Sequence, residues 1–152
     1  MTDVGSMAPD AAFDLSDGSQ SSIAAYRGKP LVLYFYPKDD TPGCTNEAKA
    51  FSALMPEFER AGVAVLGASK DSVKSHAKFI AKYDLKVALA ADTDDSLCEA
   101  FGVWVEKSMY GRQYMGIERA TFLIDAEGRI GQVWRKVKVP GHAESALAAA
   151  TA

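Results

Sequence analysis

The chemistry of this sequence centres on Cys44, one of only two cysteines among 152 residues. It lies in the segment DDTPGCTNEAKAF, residues 39–51, where Thr41 is a favoured helix N-cap and Pro42 a favoured first helical residue. Cys44 is then the third residue of a helix, beside backbone N–H groups that have no intrahelical acceptor. Gly43 leaves no side chain next to the sulfur. A helix N-terminus favours the nucleophilic thiolate, so the segment predicts thiol chemistry.

The alternative for Cys44 is a purely structural role. Ala48, Phe51, Met55 and Phe58 follow it at helical spacing, so the cysteine also begins an apolar stripe that would face a core. Free cysteines are often buried as small apolar residues. The Thr-Pro-Gly-Cys order directly after an apolar strand favours the reactive thiol, because sites in α/β proteins cluster where strands end.

The elements that would position Cys44 alternate between strands and helices, which predicts an α/β fold. In order they are a hairpin turning at Asp17-Gly18, a strand at 31–37, a helix at 41–60, a strand at 62–69, a helix at 71–85, the strand VALAADT, a short helix in DDSLCEAFGV, a hairpin at 119–135 and a helix from Ala143 onward. We expect one domain, residues 1–152, with a thioredoxin-like fold: a mixed central sheet flanked by helices, with an extra N-terminal β-hairpin. In the helix at 71–85 the spacing predicts a core-facing stripe, formed by Val73, Ala77, Ile80 and Ala81.

Composition argues against several function classes. The net charge is −3, no region is rich in Lys and Arg, and no apolar run approaches the ~20 residues of a membrane span. The N-terminus MTDVGSMAPD lacks the basic and apolar parts of a signal peptide. We therefore expect a cytoplasmic protein without nucleic-acid or membrane partners. His76 and His142 form no metal-ligand spacing with a cysteine, so we expect surface or packing roles for them, no metal and no cofactor.

The segment FYPKDDTPGCTNEA resembles the active-site segment of peroxiredoxins, whose Pro-x-x-x-Thr-x-x-Cys pattern falls on Pro37, Thr41 and Cys44. The longer pattern Lys-Asp-Asp-Thr-Pro-Gly-Cys-Thr, residues 38–45, is similar to the bacterioferritin-comigratory (PrxQ) subgroup. APDAAFDLSDG, YRGKPLVLYFYPKDD, SKDSVKSHAKFIAKYDL and KSMYGRQYMGIERATFLIDAEGRI also resemble that subgroup, so the likeness covers about residues 5–134. The resemblance implies a thioredoxin fold and thiol-dependent, antioxidant reduction of hydrogen peroxide and organic hydroperoxides.

The resemblance also implies roles for individual residues. Cys44 would attack the peroxide, Thr41 would hold the peroxide oxygen near the sulfur, and Pro37 would shield the site. Arg119, in ERATFLID, would favour both the thiolate and the charge that develops on the oxygens. Glu47 would orient Arg119 or a backbone group, although an acid that satisfies the helix dipole fits the sequence equally well.

Regeneration of Cys44 is the step that the sequence leaves open. In many members of the subgroup a resolving cysteine lies five residues after the reactive one, but Lys49 stands there in this chain. Cys98, in DDSLCEAFGVW, is predicted to be a buried filler, with a resolving role as the alternative. We therefore expect a one-cysteine mechanism in which thioredoxin, glutaredoxin or glutathione reduces the sulfenic acid.

Two other functions compete with the peroxidase. A thiol–disulfide oxidoreductase on the same fold is disfavoured, because the sequence has no Cys-x-x-Cys. A peroxide sensor would use the same thiol, with Cys44 oxidation as a signal instead of a turnover step. For either the enzyme or the sensor we expect a monomer or a weak dimer.

Overall fold

The computed structural model describes residues 3–152 and contains one large sheet, a separate hairpin and four helices within that range. The strands are β1 (Ala12–Leu15), β2 (Gln20–Ser22), β3 (Leu31–Phe35), β4 (Ala64–Ser69), β5 (Ala88–Ala91), β6 (Trp104–Met109), β7 (Arg112–Ile117), β8 (Ala120–Ile124) and β9 (Ile130–Trp134). The helices are α1 (Pro42–Arg60), α2 (Val73–Tyr83), α3 (Ser96–Ala100) and α4 (His142–Ala150), with a short 3-10 turn at Ile23–Tyr26.

The large sheet is mixed, as the sequence predicts. Its strand order is β2-β1-β5-β4-β3-β8-β9, with β3, β4 and β5 parallel and the outer pairings antiparallel. The parallel strands are joined through α1 and α2, because a parallel pair needs a crossover connection. None of the four helices is long and apolar enough within residues 3–152 to cross a membrane.

The inner strand β3 lies between two apolar cores. Its five residues are all buried, and successive side chains point to opposite faces of the sheet. Leu33 and Phe35 belong to the first core, with α3 and the N-terminal hairpin, whereas Tyr34 and Tyr36 belong to the second, with α1, α2 and α4. Residues on the two faces are therefore kept apart by the full thickness of the sheet.

The predicted core stripe of α2 is correct only in part, because Ile80 packs half-buried against the second core and Val73 is half-buried. Ala77 and Ala81 are exposed, whereas His76 and Phe79 are the buried residues of this helix. The stripe is rotated because His76 is fully buried, with hydrogen bonds at both ring nitrogens. A histidine with two partners can occupy a core position that an apolarity pattern assigns to the surface.

The hairpin of β6 and β7 was not predicted from the sequence. Six residue pairs join its strands in antiparallel register, and Tyr110 and Gly111 form the turn with positive φ angles of 52° and 76°. The Tyr-Gly pair fits a two-residue turn of this kind. Tyr110 is 98% exposed, so it packs against no core.

Candidate active site

Cys44 is the third residue of α1, as expected, and its side chain is the first of the buried stripe of that helix. The residue is only 2% exposed and packs in the second core beside Ala48 and Phe51. The position of Cys44 therefore agrees with both interpretations, a thiol at a helix N-terminus and a buried residue of an apolar stripe. The sulfur lies in the core and also at the N-terminal end of a helix, where the backbone favours negative charge.

The loop before the helix places Thr41 as the N-cap residue, with extended backbone angles. Its hydroxyl donates a hydrogen bond to the carbonyl oxygen of Lys38, at 2.9 Å, and makes no capping bond to the helix. An N-cap side chain would ordinarily accept from the second or third helical N–H, which here belong to Gly43 and Cys44. Within residues 3–152 Thr41 caps neither N–H group, so both can face an anion beside the sulfur.

Arg119 joins the site from the connection between β7 and β8. Its Nη2 donates to the Cys44 sulfur at 3.3 Å, and its Nη1 donates to Oε1 of Glu47 at 2.6 Å. Burial acts to lower the pKa of Arg119, but the attraction of Glu47 and of the thiol outweighs it and raises that pKa. The guanidinium therefore stays charged and holds both groups with its planar fork.

Glu47 is a buried carboxyl within this arrangement, 1% exposed. Burial is the main cause that raises its pKa to about 7, and the attraction of Arg119 offsets burial only in part. Its second oxygen, Oε2, has no hydrogen-bond partner among residues 3–152. The first turn of α1 holds no acidic residue, so Glu47 contacts Arg119 rather than acting as a first-turn acid.

We expect the Glu47 carboxyl to make stability depend on pH. Its pKa rises from 4.5 to about 7, so its favourable contribution is complete below about 4.5 and is lost as the pH rises through about 7. At about 1.4 kcal/mol per pKa unit the shift corresponds to roughly 3 kcal/mol. Urea unfolding of the wild type and Glu47→Gln, near pH 5 and near pH 8, should show the wild type losing stability relative to the variant as pH rises. A difference that does not change with pH would contradict this.

Gly43 allows the guanidinium to approach the helix. A Cβ built on this residue would lie 3.2 Å from Nη2 of Arg119. That separation is tight enough to push the guanidinium by a few tenths of an ångström, away from its position against the sulfur.

Gly43→Ala should therefore separate stability from reactivity. We expect unfolding free energy to stay level or to rise by up to ~1 kcal/mol, because alanine is the better helix former. The rate of Cys44 oxidation by hydrogen peroxide should fall several-fold, measured by rapid mixing with intrinsic fluorescence. A variant as reactive as the wild type would show that the guanidinium tolerates the displacement.

Cys98 lies on the other side of the sheet from Cys44. It is fully buried in the first core, and its N–H donates to Asp92. Burial raises the pKa of the Cys98 thiol strongly, with the neighbouring Asp92 adding to the shift. The backbone of the sheet lies between the cores that hold Cys44 and Cys98, whereas a disulfide needs Cα atoms within about 7 Å. The native fold therefore keeps the two thiols apart.

Two further residues that the sequence analysis singled out, Pro37 and Lys49, are exposed. Pro37 is exposed just after β3, and its shielding role stays a prediction. Lys49 is exposed on α1, with its ammonium 4.9 Å from the ring centre of Tyr83.

Lys107 is a second cation near the site, and sequence reasoning missed it. It lies on β6 opposite Tyr114, and burial, together with the charge of Arg119, lowers its pKa. Its interaction with Cys44 acts in the opposite direction. No local motif marks this lysine, since only the hairpin brings it towards the thiol.

One group of side chains has the composition of a metal site. The ligand atoms of Asp39, Asp71 and His76 all lie within 4.8 Å of one another. In the structure those atoms are used in hydrogen bonds: Asp39 to His76, and Asp71 to the backbone N–H of Asp39. A metal would have to replace these bonds.

Comparison with known proteins decides the family of this site. Residues 4–133 match the AhpC/TSA family. The chain belongs to the AhpC/TSA family. It is 54% identical over 153 residues to Peroxiredoxin Bcp of Xanthomonas campestris, covering 98% of this chain and 96% of that protein. It is 46% identical over 145 residues to Peroxiredoxin Bcp of Bacillus subtilis, covering 95% and 92%.

Solved structures agree with these relatives. A cysteine-to-serine variant of Xylella fastidiosa PrxQ superposes with a TM-score of 0.93 at 44% identity, covering 98% of this chain and 95% of that one. A structure of Xanthomonas campestris PrxQ has a TM-score of 0.88 at 54% identity, covering 92% and 89%. The chain is therefore a peroxiredoxin of the BCP/PrxQ group with a thioredoxin-like fold, and the predicted family, fold and enzyme class are confirmed.

Proposed function

We propose that this peroxiredoxin works by a one-cysteine mechanism, with Cys44 as the peroxide-reducing thiol. The observation that carries the proposal is the contact of 3.3 Å between Nη2 of Arg119 and the Cys44 sulfur, at the start of a helix. A fixed guanidinium and free helix N–H groups both favour the thiolate over the thiol. Cys98, the other cysteine of the chain, offers neither feature.

The proposed roles of Thr41 and Arg119 in this reaction are complementary. The Thr41 hydroxyl uses its hydrogen on the Lys38 carbonyl, so its oxygen is left to accept the hydrogen of the peroxide. Arg119 presents a donor beside the sulfur, where charge develops as the O–O bond breaks. Together they hold a hydroperoxide with the oxygen of its O–H group, the outer oxygen, towards the thiolate.

The peroxide step then balances as a two-electron transfer. The thiolate of Cys44 attacks the outer oxygen, a sulfur–oxygen bond forms and the O–O bond breaks. The attacked oxygen keeps its hydrogen, which leaves a sulfenic acid on Cys44. The other oxygen departs with the electron pair and takes a proton from solvent, giving water or an alcohol.

An external thiol completes the cycle in this proposal. Attack on the sulfenic acid releases water and gives a mixed disulfide, and a second thiol then frees Cys44. Three features of this chain support an external donor: Lys49 occupies the expected position of a resolving cysteine, Cys98 is fully buried, and the sheet separates it from Cys44. Resolution through Cys98 would require the sheet to open.

The proposed substrates are hydrogen peroxide and organic hydroperoxides. A structure of the Xanthomonas campestris bacterioferritin comigratory protein, described for its alkyl peroxide reduction activity, shares 51% identity with this chain at a TM-score of 0.91. Thioredoxin, glutaredoxin or glutathione is the proposed reductant, and the cytoplasm, where thiols are kept reduced, is the proposed location. We propose a monomer or weak dimer of one domain, acting without a metal or cofactor.

Intact mass spectrometry tests the mechanism directly. One equivalent of hydrogen peroxide is added to the reduced protein together with a trap for sulfenic acids. A single adduct, mapped to Cys44, supports one-cysteine chemistry. Loss of two hydrogens without an adduct would instead mean a disulfide between Cys44 and Cys98, and the proposal would be wrong.

The competing sensor function is separated by turnover. With dithiothreitol supplied in excess, an enzyme consumes many equivalents of peroxide for each Cys44. A protein that stops after one equivalent, although the reductant is present, would act as a sensor. Arg119 and Thr41 do not distinguish the two functions, because both need a fast first oxidation.

A further inference from the structure

A buried hydrogen-bond network joins α2 to the loop that precedes Cys44. Its centre is His76, whose side chain is fully buried. Ring nitrogen Nε2 lies 2.8 Å from the carbonyl oxygen of Ala90 on β5. Ring nitrogen Nδ1 lies 2.7 Å from Oδ2 of Asp39 on the loop. The imidazole therefore bridges the sheet and the active-site loop.

The number of protons in this bridge follows from its partners. A carbonyl oxygen only accepts, so Nε2 of His76 carries a hydrogen. The contact between Nδ1 and the carboxyl of Asp39 needs one further proton, because otherwise a nitrogen lone pair would face a carboxylate oxygen at 2.7 Å. Asp39 and His76 therefore share one proton, in a place where water does not reach either side chain freely.

The other contacts of Asp39 fix its position from several directions. Oδ1 accepts the hydroxyl hydrogen of Tyr36 at 2.6 Å, and Oδ2 accepts that of Ser75 at 2.8 Å. The backbone N–H of Asp39 donates to Oδ2 of Asp71 at 2.8 Å. Both the side chain and the main chain of this loop residue are thus held by groups that are fully or partly buried.

The next loop residue, Asp40, is also held by α2. Its φ is 57°, a left-handed conformation that aspartate tolerates better than most residues. Its carboxylate accepts hydrogen bonds from Lys82, at 2.7 Å, and from Tyr83, at 2.5 Å. Thr41 follows directly, so two consecutive anchors on α2 precede the residue that caps α1.

We propose that His76 is a positioning residue for the peroxide step: the proton that it shares with Asp39 fixes the loop 37–41, and so keeps Thr41 and the first turn of α1 in place around the Cys44 sulfur. The inference rests on the proposed function of Cys44 and Thr41. His76 acts through Asp39, since its three-residue bridge runs from β5 through the ring to the loop. The buried anchor sets the loop, whereas the exposed contacts of Asp40 support it.

Two substitutions each keep one of the two hydrogen bonds that the His76 ring makes. In His76→Asn the amide nitrogen takes the place of Nδ1 and keeps a donor towards Asp39. In His76→Gln the amide nitrogen takes the place of Nε2, so the donor towards Ala90 is kept and the one towards Asp39 is lost. We expect His76→Gln to lower the rate constant for Cys44 oxidation by hydrogen peroxide roughly 10-fold or more, because this variant frees the loop from α2. We expect the rate constant of His76→Asn to stay within about 3-fold of the wild type, because this variant keeps the donor to Asp39.

The controls separate positioning from stability. Ile23→Ala removes buried volume in the first core, on the opposite face of the sheet, and should lower the unfolding free energy without changing the oxidation rate of the folded protein. Cys44→Ser, measured alongside, tests the proposed function, because oxidation that persists in it would remove Cys44 itself from the reaction. Equal rates for His76→Asn and His76→Gln, or rates that only follow stability, would overturn the role of His76.

Nuclear magnetic resonance of the wild type tests the shared proton without any substitution. We expect two slowly exchanging ring N–H protons on His76 or, where the shared proton sits on Asp39, one ring N–H and a strongly downfield proton coupled to the same bridge. A His76 ring with one N–H and no proton in the contact with Asp39 would overturn the inference, even where a variant fails to fold.

Discussion

Cys44→Ser should abolish peroxide reduction, whereas Cys98→Ser and Cys98→Ala should keep most of it. The hydroxyl of serine is not ionised at neutral pH and cannot replace a thiolate as the nucleophile. Cys98 packs in the other core, where burial raises its pKa strongly, so its removal changes packing without touching the reaction. Peroxide consumption with excess dithiothreitol measures both effects, because a small reductant makes the result independent of the natural donor.

The two variants at position 98 serve as controls for each other. Serine places a hydroxyl in an apolar core and alanine leaves a small cavity, so both should lower the unfolding free energy, by about 1–3 kcal/mol. Activity should nevertheless stay within a few-fold of the wild type in each. Equal loss in the variants of Cys44 and Cys98 would mean that both thiols take part in turnover, and the one-cysteine mechanism would be wrong.

Local sequence was sufficient for the position of Cys44. Thr41, Pro42 and the following apolar residues are neighbours along the chain, and α1 begins at Pro42, the predicted first helical residue. The strands β3 and β4 could also be predicted from local sequence, because runs of apolar residues bounded by turns are local features. Family resemblance then supplied Arg119, which lies far from Cys44 along the chain and shares no periodicity with it.

Contacts between residues on different helices and strands could not be predicted from local sequence. Which face of the sheet holds Cys98 depends on how α3 returns to the strands, and that is fixed by tertiary packing. The same is true of His76, which reads as a polar residue on α2 but becomes a core residue once Asp39 and Ala90 meet it. A hydrophobic pattern treats polarity as exposure, and it fails wherever buried polar groups satisfy one another.

The two ion-pair partners of the site, Glu47 and Arg119, act on different properties. Glu47, with its pKa raised to about 7 by burial, links stability to pH, because its ionisation is opposed inside the protein. Arg119 remains charged throughout and links the same carboxyl to the thiol. A substitution at Arg119 therefore changes reactivity and also leaves Glu47 buried without its partner.

Arg119→Ala should slow the reaction of Cys44 with hydrogen peroxide by a factor of about 10²–10³, the usual effect of removing one donor that stabilises a developing oxyanion. The same change should lower the rate of Cys44 alkylation by iodoacetamide at neutral pH, because the guanidinium favours the thiolate. Arg119→Lys keeps the charge but cannot contact Glu47 and the sulfur with one planar fork, so it should recover only part of both rates.

A second variant separates the effect of Arg119 on the sulfur from its effect on the Glu47 carboxyl. The double variant Arg119→Ala with Glu47→Gln removes this ionisable carboxyl, whose pKa the loss of Arg119 raises further, so near pH 8 it should be more stable than Arg119→Ala alone while remaining slow with peroxide. Arg60→Ala removes an exposed arginine at the far end of α1 and should change neither rate. If the double variant instead regained the peroxide rate of the wild type, the loss in Arg119→Ala would come from the unpaired Glu47 carboxyl and not from a donor missing at the sulfur.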